Sequence, residues 1–144
     1  MSKQSYTNHI RYYLPHHVYF YSCIIAGTAF SGAMIYFHHG SVGWIIACIL
    51  FVLVGWLSFM LRQHYALMLQ NRIVRLEMRF RYFALCGKRF EPLEAKLSFG
   101  QIAALRFASD EELEALVAKA VDEHLAADAI KRSIKNWQAD DMRV

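Results

Sequence analysis

Two uncharged apolar runs dominate the hydrophobic pattern of this chain, Val18 to Phe37 and Val42 to Leu61. Each has the length of about 20 residues that carries a helix across a hydrocarbon core. Only His38-His39-Gly40-Ser41 lies between them, which predicts a tight turn and an antiparallel helical hairpin. No proline lies between Val42 and Cys86, and Gly55 is the last glycine before Gly87. The second run is therefore expected to continue unbroken as a basic amphipathic helix from Arg62 to Cys86. At about 1.5 Å per residue the whole helix would reach roughly 65 Å, about twice a bilayer's apolar thickness. Within the first run Ser22, Ala26, Ala29 and Ala33 form a small-residue stripe, whose expected partner is the second run.

Past the apolar runs, Ala66, Leu69, Ile73, Leu76, Phe80 and Phe83 recur at alternating spacings of three and four. That is a heptad seam, though a short one for a coiled coil. A helix covered by the chain's own tail is the preferred reading over self-association. Glu77 and Arg81 stand in the favourable i, i+4 order, and Gly87 supplies a helix stop. The tail reads as short helices. One begins at Pro92 and runs through Lys96. Ser98 with Gln101 caps a second over Phe99 to Phe107. Ser109 with Glu112 caps a third from Asp110 to about His124. A last one is expected from about Ala127 to Trp137. Phe99, Ile102, Leu105, Phe107 and Trp137 are the candidates for packing this tail or meeting a partner.

Composition supports the same division. Of 144 residues, 56% are apolar and 19% charged, with a mean hydropathy of +0.20. The pI near 9.1 does not point to nucleic acid. No Lys or Arg falls between Arg11 and Arg62, whereas seven fall from Arg62 to Arg89. A basic cluster just past a span is what membrane orientation requires. The bare hairpin turn and the charged flanks place both termini in the cytoplasm. Tyrosines at 12, 13, 19 and 21, and Tyr36 with Trp44, mark the two interface levels. A cleaved signal peptide fits poorly, because the polar lead-in is long and no clear small-x-small site follows. Cys23, Cys48 and Cys86 form no C-x-x-C pair, and the two within the spans lie toward opposite faces. The expected organisation is a lead-in and transmembrane hairpin at 1–61, a cytoplasmic basic helix at 62–86 and a cytoplasmic helical tail at 87–144. The expected fold class is an all-α membrane protein.

Chemistry-bearing constellations are sparse. An antiparallel hairpin puts His16 and His17 at the membrane level of His64, with His9 near, so a haem or metal site there is an alternative. Interface residues like the neighbouring tyrosines are the plainer reading, and no cofactor is expected. Arg62, Arg72, Arg75 and Arg79 are candidates for anionic lipid headgroups at about 1 kcal/mol each when close to the surface. For Arg72 onward this requires the helix to lie down on the membrane. Neither run holds an ionisable group of the kind an ion path needs. No phosphate loop, G-x-S-x-G or H-E-x-x-H is present. The acids at Asp110, Glu111 and Glu112 are explained by helix capping and dipole.

Several stretches carry a resemblance. They are Asn8-His9-x-Arg11-Tyr12-Tyr13-x-Pro15-His16-His17, Leu61-Arg62-Gln63-His64-Tyr65-Ala66-Leu67, Gly87-Lys88-Arg89-Phe90, Leu97 to Phe107, and Lys135-Asn136-Trp137. Together they resemble a family of small bacterial membrane proteins classed as a domain of unknown function. The resemblance implies a bacterial cytoplasmic membrane location and supplies no activity. The expected function is a non-enzymatic accessory or scaffold protein that presents a cytoplasmic helical surface to a protein partner or a second copy. A small haem or metal protein in electron transfer and an anionic-lipid sensor are the alternatives.

Overall fold

The computed structural model describes residues 4–7 and 13–140. The histidine, arginine and tyrosine at 9, 11 and 12 lie outside the described residues. Every regular element is a helix, with one isolated antiparallel bridge between Ala108 and Trp137. The helices are α1 (Tyr21–Phe37), α2 (Val42–Met60), α3 (Leu67–Cys86), α4 (Glu91–Glu94), α5 (Phe99–Leu105), α6 (Asp110–Asp122) and α7 (Ala127–Ser133). Wider π-helical turns lead into α1 at Pro15–Phe20 and join α2 to α3 at Leu61–Ala66. Two helical stretches, Pro15–Phe37 and Val42–Cys86, are long and apolar enough to cross a membrane. The described residues divide into two compact units, one of residues 13–68 and one of 4–7 with 69–140.

In the first unit α1 and α2 pack side by side. The turn closes because Gly40, at φ +79°, donates back to the Ile35 carbonyl at 2.9 Å. Its positive φ suits a residue with no Cβ. Close approach comes from two other glycines. A Cβ on Gly27 would stand 2.5 Å from the Phe51 ring, and one on Gly55 would stand 3.0 Å from Ile24. Ser31 is buried and returns its hydroxyl to the Gly27 carbonyl at 2.7 Å. The inter-helix contact thus runs along Ile24, Gly27, Thr28 and Ser31. This corrects the expected packing stripe: Ser22, Ala26, Ala29 and Ala33 all face outward. Glycine gives a closer approach than alanine, so the face that carries Gly27 opposite a large ring takes the contact.

In the second unit α3 is the platform for the tail. The caps read from the sequence are present. Gly87, at φ +65°, ends α3 and donates to the Phe83 carbonyl at 2.8 Å. Ser98 N–H donates to Gln101 Oε1 at 2.7 Å, and Gln101 N–H to Ser98 Oγ at 3.3 Å. Ser109 N–H donates to Glu112 Oε1 at 3.3 Å. The last helix is shorter than expected. It ends at Ser133, and Ile134 turns extended. Trp137 is then laid against Phe107 with ring centroids 4.9 Å apart, and Gln138 N–H donates to the Phe107 carbonyl. Packing of the indole on Phe107, together with backbone pairing at Ala108, outweighs one more turn of helix.

Candidate functional site

The surface of α3 is the one place where the expected binding residues gather, and the tail divides it into two faces. Val74, Met78 and Tyr82 recur every four residues and are buried. They meet Phe90, Leu97, Ile102, Leu105, Leu113, Leu116, Val117 and Ile130 in one apolar core. Phe90 is fully buried, its ring centroid 5.2 Å from that of Tyr82. Burial of this size, at about 25 cal/mol per Å² of apolar surface, supplies the main attraction between tail and helix.

Two polar anchors fix how the tail sits. Glu94, buried on α4, accepts from Arg75 through Oε1 and from Arg79 Nε through Oε2, the latter at 2.6 Å. The two guanidiniums, Arg79 foremost, hold the Glu94 carboxyl below its ordinary range against the opposing effect of burial. Arg81 reaches the loop between α5 and α6. It donates to the carbonyls of Arg106 at 3.0 Å and Ala108 at 2.6 Å, and to Asp110 Oδ1 at 2.8 Å. The expected helix pair of Arg81 with Glu77 gives way to this set of three acceptors. Lys88 with Glu114, at 2.9 Å, adds an exposed pair. The acidic α6 thus meets the basic helix through Asp110 and the turn just after it through Glu114, while Leu113, Leu116 and Val117 enter the core.

The lead-in joins the same unit. Tyr6 donates its hydroxyl to Asp128 at 2.7 Å, and the Arg132 guanidinium lies 5.3 Å over the Tyr6 ring. The Gln4 side-chain carbonyl accepts from Asp140 N–H at 2.7 Å. Pairing of residues so far apart leaves no local signature, and the sequence reading missed it.

The expected sites are distributed as follows. The tail does not cover the seam. Leu69, Ile73, Leu76, Phe80 and Phe83 stay between 54% and 74% exposed, and Ala66 is exposed as well. The covered face lies on the far side of the helix. Of the lipid-headgroup candidates, Arg62 and Arg72 are exposed, while Arg75 and Arg79 are committed to Glu94. Ile102, Leu105 and Phe107 are buried tail core, and Phe99 and Trp137 pack at its edge. Arg75 also lies over the Phe99 ring at 5.7 Å. His16 rests against Phe20 and Tyr21, the His17 ring is hydrogen-bonded to the Tyr13 carbonyl, and His64 is exposed. Among the described residues no group of three His, Cys, Asp or Glu stands together as metal ligands do.

Comparison with known proteins adds a family and no chemistry. The chain belongs to the family of unknown function DUF6526. The family's profile matches residues 1–144. No curated protein and no solved structure matches the chain.

Proposed function

We propose that this protein is a non-enzymatic accessory or scaffold of a bacterial cytoplasmic membrane, held by an α1–α2 transmembrane hairpin and presenting α3 as a helical interaction surface. One observation carries the reading. The tail is used up in shaping a single face of α3 and leaves a second, larger apolar face uncovered. A helix that needed only to bury itself would place its widest apolar stripe against the tail. Here the stripe of Leu69, Ile73, Leu76, Phe80 and Phe83 points away from it.

The hairpin supports the membrane location. Its outward surface carries exposed Ile25, Phe30, Ile49, Leu53 and Trp56, which water would not favour and lipid would. The lead-in supports the orientation. Tyr6 precedes α1 and Asp128 follows α3, yet the two are hydrogen-bonded, so both flanks of the hairpin belong on one side. The seven basic residues from Arg62 to Arg89 favour the cytoplasm as that side. Engagement of Arg75 and Arg79 by Glu94 takes up two of the four arginines that a lipid sensor would use.

Substitution on the uncovered face, Leu76→Ser together with Phe80→Ser, tests the reading. The doubly substituted chain is expected to remain in membranes after an alkaline wash and to lose whatever the natural chain retains on mild detergent extraction. Unchanged retention by the substituted chain would sink the proposal.

A further inference from the structure

We infer that the uncovered face of α3 is the contact for a second copy of this chain, joined in a parallel, in-register two-stranded coil over Leu69 to Phe83. The inference rests on the presenting-surface reading and names the partner of that surface.

The exposed residues occupy heptad positions without a break. Ile73 and Phe80 take the a positions, and Leu69, Leu76 and Phe83 take the d positions. A β-branched residue at a with leucine at d favours two parallel strands. All five are more than half exposed, and the tail core lies on the opposite side of the helix, so neither copy has to unfold anything to pair.

The flanking charges choose the same partner and the same sense. Arg72 and Arg79 fall at g, and Gln70 and Glu77 fall at e. In a parallel in-register pair each g residue meets the e residue five positions further along the other helix. Arg72 of one copy then meets Glu77 of its partner, twice per dimer by symmetry. Among the described residues neither Arg72 nor Glu77 has an ion-pair partner, whereas Arg75, Arg79 and Arg81 all have one. An antiparallel pair would set g against g, arginine against arginine, and is disfavoured. A seam of two heptads is weak in free solution. Confinement of both copies to one membrane raises their effective concentration and lets a short seam suffice.

Site-directed cross-linking of the full-length chain in membranes tests this. In a chain with Cys23, Cys48 and Cys86 replaced by Ala, a single cysteine is introduced as Ile73→Cys or Leu76→Cys, with Glu111→Cys on exposed α6 as reference. A short bismaleimide is expected to give covalent dimer at 73 and 76 with at least fivefold the yield at 111. Adding Arg72→Glu to Leu76→Cys should cut the yield threefold or more, and adding Glu77→Arg as well should restore it. The cysteines introduced at 73, 76 and 111 remove no core contact, and the Cys86→Ala change at the core edge is common to all three, so loss of folding does not explain a difference between them. Equal yields at 73 and 111, cross-links only to another protein, or a charge swap that restores nothing would each overturn the inference. Retention of the same variants in alkali-washed membranes, scored on the same samples, reports the membrane reading separately.

Discussion

Arg79 Nε donates to Glu94 Oε2 at 2.6 Å, and Arg75 closes on the other carboxylate oxygen. Glu94 is 7% exposed, while the two arginines keep 44% and 36% of their side-chain surface in solvent. The acid is therefore the desolvated member, and it depends on both bases to stay charged. Glu94→Gln keeps an acceptor but loses the charge. It is expected to weaken docking of α4 on α3 by about 1–2 kcal/mol, less than a fully buried pair because the arginines remain partly solvated. Faster amide exchange at residues 91–97, with α1 and α2 unchanged, would show it.

The same pair sets an acid limit. The Glu94 carboxyl is held below its ordinary value of 4.5 in the folded chain. As pH falls, the unfolded chain takes up the proton first. The stabilisation is thus fully present above about pH 5 and is lost as pH drops through the lower folded value. The tail should loosen from α3 in that acid window, and Glu94→Gln should flatten the dependence. Amide exchange measured from pH 6 to pH 3 checks both. An equally steep pH profile in the variant would exclude Glu94 as the cause.

Two phenylalanines ten residues apart separate the faces of this unit. Phe90 is fully buried and Phe80 is 74% exposed. Phe90→Ala removes a ring from the core where the start of α4 meets Tyr82 of α3 and is expected to cost about 3–5 kcal/mol. Phe80→Ala should change stability of the tail by no more than about 0.5 kcal/mol. Limited proteolysis of the detergent-solubilised chain distinguishes them: cleavage of the tail should accelerate only for Phe90→Ala.

That contrast also shows what could be read in advance. The two long apolar helices rest on continuous runs of about 20 residues, and the turn at Gly40, the stop at Gly87 and the cap at Ser98 on signals a few residues long, so all of them are legible locally. The choice of face on α3 is not local. Leu69, Ile73, Leu76, Phe80 and Phe83 make the stronger periodic stripe, yet the tail takes Val74, Met78 and Tyr82 instead. The decision belongs to Glu94 and Arg81, whose partners lie 15 to 29 residues away in sequence, and to Phe90. An i, i+4, i+8 repeat of Val, Met and Tyr was visible as a second stripe. Nothing in the sequence around Glu94 marks it as the residue that selects between the two. The same holds for Tyr6, which finds Asp128 at a separation of 122 residues.

Gly27 and Gly32 both sit in α1, and only one of them is needed. A Cβ at Gly27 would stand 2.5 Å from the Phe51 ring, while one at Gly32 would meet nothing within 4 Å. Two helices held this close depend on close packing at the contact, so a forced ring movement is felt directly. Gly27→Ala is expected to weaken the hairpin by about 1–3 kcal/mol. Gly32→Ala should be neutral or slightly stabilising through helix propensity. Phe51→Leu, which shortens the opposing side chain, should recover part of the Gly27→Ala loss. Unfolding of the three variants in mixed micelles by rising SDS fraction gives the order. Equal effects at the two glycines would mean that the α1–α2 contact lies elsewhere.

The Tyr6–Asp128 hydrogen bond makes a claim about sidedness that can be checked without any partner. On the proposed membrane reading, residues before α1 and residues in α7 can touch only where the hairpin returns the chain to the side it left. In a chain freed of its own cysteines, His39→Cys in the turn should react with a membrane-impermeant maleimide on intact cells. Ser5→Cys in the lead-in and Glu111→Cys on α6 should react only after the membrane is opened. Labelling of Ser5→Cys and Glu111→Cys from opposite sides would rule out a two-span hairpin together with the docking of the lead-in on α7. Labelling of both from outside, with His39→Cys protected, would keep the hairpin and reverse its orientation, which the seven basic residues from Arg62 to Arg89 argue against.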